Sequence, residues 1–441
     1  MNARRPSPRP STRARPVGGP IEYAQGPIAD RPLCVDPALP VPAVYLRTPT
    51  WHPLIYRKRI DRVEGGARPG DLVAVYLEPD QLLGYGLYNP RSEFAVRIVR
   101  WGTELPDAAF WRERFERAVA LRRDFLGLDR VTDAYRLVHA EGDGLPGLVV
   151  DRFGETLSAE VFSLGMFQRC RPILDGLAAL CGTRHTVVQA GPNTVAQEGF
   201  ACPPVVSDGA PPRVTIHEFQ TRFRVRFEGG HKTGFFCDQR DNRKRLAGFC
   251  GGKSVLDLCC YSGGFAIQAK RLGGATEVIG VDLDEEPLQL ARENADLNQV
   301  RVRFVQADIF PFMRDMLRGG RQFDVVVLDP PKLIRSRAEI DEGTRAHFDM
   351  NRLAMQLVKP GGLMLSCTCA GLLPESEFVR LLSAAARQAG PPDPRTAGDE
   401  RPRHAPRAMQ ILEKTGAAPD HPVDAMCPEG EYLNAVWMRL V

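Results

Sequence analysis

Two short segments carry side chains that could do chemistry on an electron-poor ring. One is Asp329-Pro330-Pro331-Lys332, after the apolar run Phe323 to Leu328; the other is Ser366-Cys367-Thr368-Cys369-Ala370-Gly371, after Gly362 to Leu365. Both runs read as strands of a parallel α/β sheet, where ligands sit outside the carboxyl ends. A carboxylate and a thiol would then face one substrate. Sulfur can add to an unsaturated ring while a carboxylate holds the polar edge on which charge develops, a pairing suited to transfer of a carbon unit.

The elements that must position these groups begin near Lys253. Strand runs at Val255 to Leu258, Val278 to Val281, Val302 to Val305, Val325 to Leu328 and Leu363 to Ser366 alternate with helical stretches such as Glu285 to Asn298 and Asp341 to Val358. Two closing runs, Ala408 to Leu412 and Leu433 to Leu440, have no helix between them and should pair antiparallel. The pattern predicts a doubly wound α/β sheet with a terminal hairpin.

After the first strand comes Asp257-Leu-Cys-Cys-Tyr261-Ser262-Gly263-Gly264-Phe265, a turn whose glycines allow a ligand close to backbone. It lacks the G-x-G-x-x-G fingerprint, which disfavours a dinucleotide. Asp282 closes the second strand, where a carboxylate can accept both hydroxyls of a ribose. Asp308 closes the third, within reach of an adenine amino group. Three acids at successive strand ends suit a nucleoside that is neutral or cationic, and S-adenosyl-L-methionine with its sulfonium fits better than a nucleotide bearing phosphates. Each acid alone could equally cap a helix.

Upstream, Asp71 to Leu77, Leu83 to Tyr88 and Phe94 to Arg100 alternate between turn residues and predict a small β-barrel. Trp51, Tyr56, Tyr85, Tyr88 and Trp101 lie among its basic residues, the interleaving RNA surfaces use, although half-buried aromatics are ordinary in a barrel. Asp107 to Leu126 predicts a helix with Trp111, Phe115 and Val119 on one face and Arg112, Arg114, Arg117, Arg122 and Arg123 around the rest, a solvated basic face. The following α+β stretch contains Glu141-Gly-Asp-Gly-Leu-Pro-Gly147, read as a structural turn because no helix follows to cradle a phosphate.

Hydrophobic residues make up 43% and charged residues 25% of the 441, the balance of a globular chain. No apolar run reaches membrane-spanning length, and no membrane association is expected. Eleven dispersed cysteines with no C-x-x-C pair and no histidine spacing for zinc predict reduced thiols, a cytoplasmic setting and no metal. The net charge is +4, yet Met1 to Pro20 holds five arginines and no acid, so the remainder is near neutral and only local patches can speak for nucleic acid. Residues 1–42 read as a disordered basic tail.

Taken together, Ala140 to Gly147, Lys232-Thr-Gly-Phe-Phe-Cys-Asp-Gln-Arg240, Tyr261 to Phe265, Asp329 to Lys332, Ser366 to Gly371 and Pro428-Glu-Gly-Glu-Tyr432 resemble the bacterial 23S rRNA cytosine-5 methyltransferases of the RlmI type. The resemblance covers the chain from about Ala43. It implies a PUA-like RNA-binding barrel over 43–105, a connector helix and α+β middle domain over 106–230, and a Rossmann-like class I methyltransferase domain over 231–441. It also implies cofactor contacts for Phe235, Asp238, Gln239, Arg240 and Pro330, and places the nucleophile at Cys369. Cys367 is an extra thiol on the same strand face.

On that basis Cys369 adds to C6 of cytosine, Asp329 holds the N3/N4 edge, and either Lys332 or the sulfonium favours the thiolate. The target base must leave its stack, so the expected partner is unfolded or partly assembled 23S rRNA; a homodimer is a further expectation. Guanine N7 methylation, which would not need Cys369, is the alternative reaction. A non-catalytic RNA-binding assembly factor and a protein methyltransferase are the alternatives of other kinds. Lysine rather than an aromatic residue at 332 argues against methylation of an exocyclic amine.

Overall fold

The structure is a computed structural model that describes residues 28–227, 233–391 and 404–441. Its largest sheet has seven strands, labelled here β1 (Ser254–Leu258), β2 (Glu277–Asp282), β3 (Arg303–Gln306), β4 (Phe323–Leu328), β5 (Val358–Thr368), β6 (Met409–Thr415) and β7 (Asn434–Leu440). Their order is β3-β2-β1-β4-β5-β7-β6. The first five are parallel, and β7 inserts antiparallel between β5 and β6. Runs such as Val-Leu-Asp-Leu in β1 and Val-Val-Val-Leu in β4 are buried on both faces, as expected of parallel strands covered by helices.

The helices are α1 (Arg240–Ala247), α2 (Gly264–Arg271), α3 (Glu285–Leu297), α4 (Ile309–Arg318), α5 (Ile340–Gln356) and α6 (Glu375–Ala386). One core joins Met313, Met355 and Phe378 to Leu256, Val326 and Met364 on one sheet face; the other joins Leu246, Phe265 and Ala266 to Val327, Leu365, Cys367 and Trp437. Trp437 is almost fully buried, and its indole Nε1 donates to Thr415 Oγ1 at 2.9 Å, so β7 satisfies the one polar atom it buries there. Burial of a side chain of this kind contributes upwards of about 1.5 kcal/mol.

The N-terminal part is a six-stranded sheet built from Ala43–Leu46, Leu54–Tyr56, Ile60–Glu64, Leu72–Tyr76, Leu82–Tyr88 and Phe94–Trp101. A five-stranded sheet follows, with Ala134–His139, Leu148–Phe153 and Thr156–Val161 at its centre and edge. The helix Ala108–Ala120, capped by Asp107 accepting from Phe110 N at 2.8 Å, lies between the two sheets with Trp111 and Phe115 in their shared core.

Three expectations are corrected here. Arg122 is fully buried rather than solvated: its guanidinium donates to Asp143 at 2.6 and 2.8 Å and to the backbone oxygens of Arg136 and Asp420 at 2.8 and 2.7 Å. Tyr85 and Tyr88 are buried in the sheet, which leaves Trp51 and Tyr56 exposed at 64% and 36%, with Trp101 beside Trp51. Of the proposed tail, residues 1–27 lie outside the described residues, whereas residues 28–42 pack: Leu33, Cys34, Val35 and Val41 rest on the shared core, Trp111 Nε1 donates to Leu33 O at 3.0 Å, and Arg31 pairs with Asp71. Lys232 also falls outside the described residues.

Candidate active site

The parallel register pairs Leu258 with both Val281 and Leu328, Asp282 with Gln306, and Leu328 with Ser366. The carboxyl ends therefore form one rim, and the strand order reverses between β1 and β4. At such a switch point two neighbouring loops part and open a crevice. The β1 loop (259–263) and the Asp329 loop flank it, held together by Asp329 N donating to Leu258 O at 3.3 Å.

The β1 loop is unusual backbone. Cys259, Tyr261 and Gly263 all have positive φ, at 62°, 49° and 82°, a costly conformation for the first two. Asp282 helps hold it, accepting from Tyr261 N at 2.8 Å, and Asn294 Nδ2 donates to Ser262 O at 3.2 Å. A side chain at Gly263 would press on Phe304, Ile267 and Ala291, so glycine is required for both space and φ. Ser262 and Phe265 are buried, while Tyr261 is half-buried with the Phe236 ring edge-on at 5.1 Å.

Four carboxylates converge electrostatically on this loop. Burial pushes the Cys259 thiol well up, and Asp282, Asp329, Asp257 and Asp308 all push in the same direction. Such a field favours a cation. Asp257 is fully buried; one carboxylate oxygen accepts from Ala266 N at 3.0 Å, and the other has no hydrogen-bond partner among the described residues. Desolvation, with Asp329 and Asp282 adding to it, raises its carboxyl well above the usual range. Asp308 is exposed and caps α4, accepting from Phe310 N at 2.8 Å.

On the other side, Asp329 is half-buried and accepts from Gln239 Nε2 at 3.1 Å. Pro330 is buried and Lys332 exposed. Cys369 follows the last residue of β5 and is half-buried, whereas Cys367 is fully buried within the strand. Burial raises the Cys367 thiol well above its ordinary value, and Asp329 adds to the shift. It packs in the core with Leu365 and Trp437.

The three consecutive residues Asp238, Gln239 and Arg240 diverge. Asp238 Oδ2 accepts from the Tyr432 hydroxyl at 2.6 Å, Gln239 turns to Asp329, and Arg240 makes a two-pronged contact with Asp420 at 2.9 and 3.0 Å. Phe235 is buried against Phe223 and Arg243. The rim thus brings together Asp257, Tyr261, Asp282, Asp329 and Cys369, with Gln239 and Asp238 behind; Phe235 and Arg240 face elsewhere. Residue reading missed Phe236 and the exposed Leu283 next to Asp282, whose 64% exposure at the end of an apolar strand offers a flat base a face. An apolar residue directly after a strand-end acid is the signal that could have found it.

The sequence model of the S-adenosylmethionine-dependent methyltransferase family matches residues 163–392, and that of a PUA-like domain matches residues 50–101. Ribosomal RNA large subunit methyltransferase I of Photobacterium profundum is 35% identical over 391 residues, covering 87% of this chain and 94% of the relative. The protein of that name from Aeromonas hydrophila is 36% identical, covering 88% and 95%. The chain belongs to the family of ribosomal RNA large subunit methyltransferase I. Two solved methyltransferase chains share the fold: one from Streptococcus mutans, at 18% identity and a TM-score of 0.72, and one complexed with SAH, at 19% and 0.71, each covering 90% of this chain and 99% of the other. The cofactor of this family is S-adenosylmethionine. The residues present fit it: a convergent negative field for a sulfonium, a backbone turn without side-chain bulk at Gly263, and a buried Asp257 oxygen with unmet hydrogen-bonding capacity.

Proposed function

We propose that this chain methylates C5 of a cytosine in 23S rRNA through a covalent adduct with Cys369. The observation that carries the reading is the pairing of a half-buried thiol and a half-buried carboxylate at the ends of adjacent strands β5 and β4, on the rim that bears the cofactor acids.

Asp282 would hold the ribose of the cofactor, Asp308 and Leu283 its base, and the turn from Tyr261 to Gly264 its amino acid end. Bound there, S-adenosylmethionine supplies an electrophilic methyl group. Cys369 adds as thiolate to C6 of the flipped base, which raises electron density at C5. Asp329, oriented by Gln239, accepts from the N4 amino group and, in its acid form, donates to N3 as negative charge develops there. C5 would then take that methyl group, the cofactor leaving as its thioether, and loss of the C5 proton to a base would expel the sulfur as thiolate and restore the ring double bond. Lys332, exposed on the same loop, is placed to favour the thiolate or to meet a backbone phosphate.

The PUA-like sheet supplies RNA contacts. Trp51 and Tyr56 are exposed for stacking, Trp101 flanks Trp51, and Arg57 and Lys58 lie beside them on the surface. Among the described residues no helix is long and apolar enough to cross a membrane.

The test is nucleoside mass spectrometry of protein-free large-subunit rRNA from a strain lacking the gene, incubated with labelled S-adenosylmethionine. Label in 5-methylcytosine is expected. Label in 7-methylguanine, surviving Cys369→Ala, would overturn the reading.

A further inference from the structure

Outside the acidic rim, three side chains of metal-ligating type meet at the junction of the PUA-like sheet and the catalytic domain. His52 precedes the strand Leu54–Tyr56, and Cys427 and Glu429 lie in the loop before β7; their ligand atoms all fall within 4.8 Å of one another. His52 Nε2 is 3.2 Å from Glu429 Oε2, and the Cys427 thiol lies within 4.8 Å of both side chains. Cys427 is buried, while Glu429 is open to solvent, giving a dry floor and a wet mouth through which an ion can enter.

We propose that His52, Cys427 and Glu429 form a Zn2+ site that clamps the PUA-like sheet onto the methyltransferase domain. Nitrogen, sulfur and carboxylate oxygen are the donor set zinc takes, with a solvent molecule completing four-coordination. Coordination by thiolate and carboxylate makes the site electroneutral with Zn2+, the thiol proton leaving to solvent.

A second observation supports this reading. The backbone of Leu54 presents both its N–H and its C=O to His52 Nδ1, each at 3.1 Å. The ring can therefore place its proton on Nδ1, donating to Leu54 O in place of accepting from Leu54 N, and so free the Nε2 lone pair for the ion. Metal-bound histidines are held in this way.

The clamp bears on the active site through a short stretch of chain. Five residues after Cys427, the Tyr432 hydroxyl meets Asp238; β7 then runs beside β5, pairing Ala435 with Cys367. At the other end, His52 adjoins the exposed Trp51. An ion here fixes the RNA-facing aromatics relative to the thiol.

The test uses the full-length chain, stripped of metal and kept under a phosphine reductant, titrated with Co2+ as a spectroscopic probe and then with Zn2+ in competition with a chromogenic chelator. Expected are one ion per chain and a thiolate-to-cobalt charge-transfer absorption that Cys427→Ser abolishes, with affinity at least ten-fold weaker in His52→Gln and Glu429→Gln. Absence of the absorption in the parent chain, or its persistence in a Cys427→Ser protein that melts as the metal-free parent does, overturns the proposal. If Cys427→Ser does not fold, unchanged Zn2+ affinity in both other variants overturns it, and weakened affinity in both sustains it.

Discussion

The acidic rim and the domain junction around Asp420 are both rich in charge, and they treat charge in opposite ways. At the rim, four carboxylates bias one loop, and one oxygen of the buried Asp257 has no hydrogen-bond partner among the described residues. At the junction the buried arginines and aspartates pair with one another. Asp420, fully buried, binds Arg240 with both oxygens, accepts from Arg136 N at 2.9 Å, and offers its backbone oxygen to Arg122. Its carboxyl is held far below the ordinary carboxylate range, because Arg240 and His421 outweigh desolvation. Arg136 in turn pairs with Asp151 at 2.6 Å. Unmet electrostatic demand marks a place that binds something, whereas dense pairing of buried arginines with carboxylates marks a joint. Asp238, Gln239 and Arg240 stand at the border, so one short segment serves both.

The comparison is broken most severely by disturbing the joint. Arg240→Ala leaves Asp420 buried and short of its main partner, and should cost about 3–5 kcal/mol in urea unfolding, the range for an orphaned buried charge. A loss below about 1 kcal/mol would mean that the junction is not a matched network.

At the rim the corresponding change should spare the fold and strike the ligand. Asp282→Asn removes a charged acceptor and should weaken S-adenosylmethionine binding by about 1.5–3 kcal/mol in calorimetry. An unchanged melting temperature without ligand would sharpen the contrast.

The next effect depends on pH. Burial lowers His347 to about 4, with its Nε2 3.2 Å from Thr368 Oγ1 beneath the Cys369 loop. Between that value and the ordinary one near 6.5, the unfolded chain binds the proton and the folded one does not. The stability is complete above about pH 6.5 and is lost as pH falls, by about 2 kcal/mol at pH 5. Unfolding midpoints of wild type and His347→Gln should converge from pH 7 to pH 5; parallel curves would refute the assignment.

The smallest effect is expected at Asp324, which Lys359 and Ser254 hold at about 2 despite partial exposure. Solvent screening limits such a pair, so Asp324→Asn should cost no more than about 1 kcal/mol at pH 7 and nothing below pH 2.

Residue order revealed the rim far better than the joint. Val325 to Leu328 and Leu363 to Ser366 are short, strongly apolar runs, and a parallel sheet fixes where their next residues go; Asp329 and the thiol segment followed from that, whereas the choice of Cys369 over Cys367 rests on the family resemblance. Arg122 and Arg240 look like any surface or ligand-facing arginine, because their partner Asp420 is remote in the chain and only folding unites them. Tyr85 and Tyr88 sit on one strand, Leu82–Tyr88, whose two faces both become core, Tyr88 within the sheet and Tyr85 against the helix Ala108–Ala120, a burial that alternation alone does not signal. His52, Cys427 and Glu429 escaped notice for the same reason as Asp420: metal motifs are sought at short spacing.

The central claim is that one of two neighbouring thiols is chemical and the other structural. The direct measurement is single-turnover methyl transfer to unmodified large-subunit rRNA by wild type, Cys369→Ala and Cys367→Ala, each first shown to bind S-adenosylmethionine. The account predicts that Cys369→Ala binds cofactor but forms no 5-methylcytosine, while Cys367→Ala retains transfer at reduced stability. Full transfer by Cys369→Ala, or its loss only with Cys367→Ala, would contradict it.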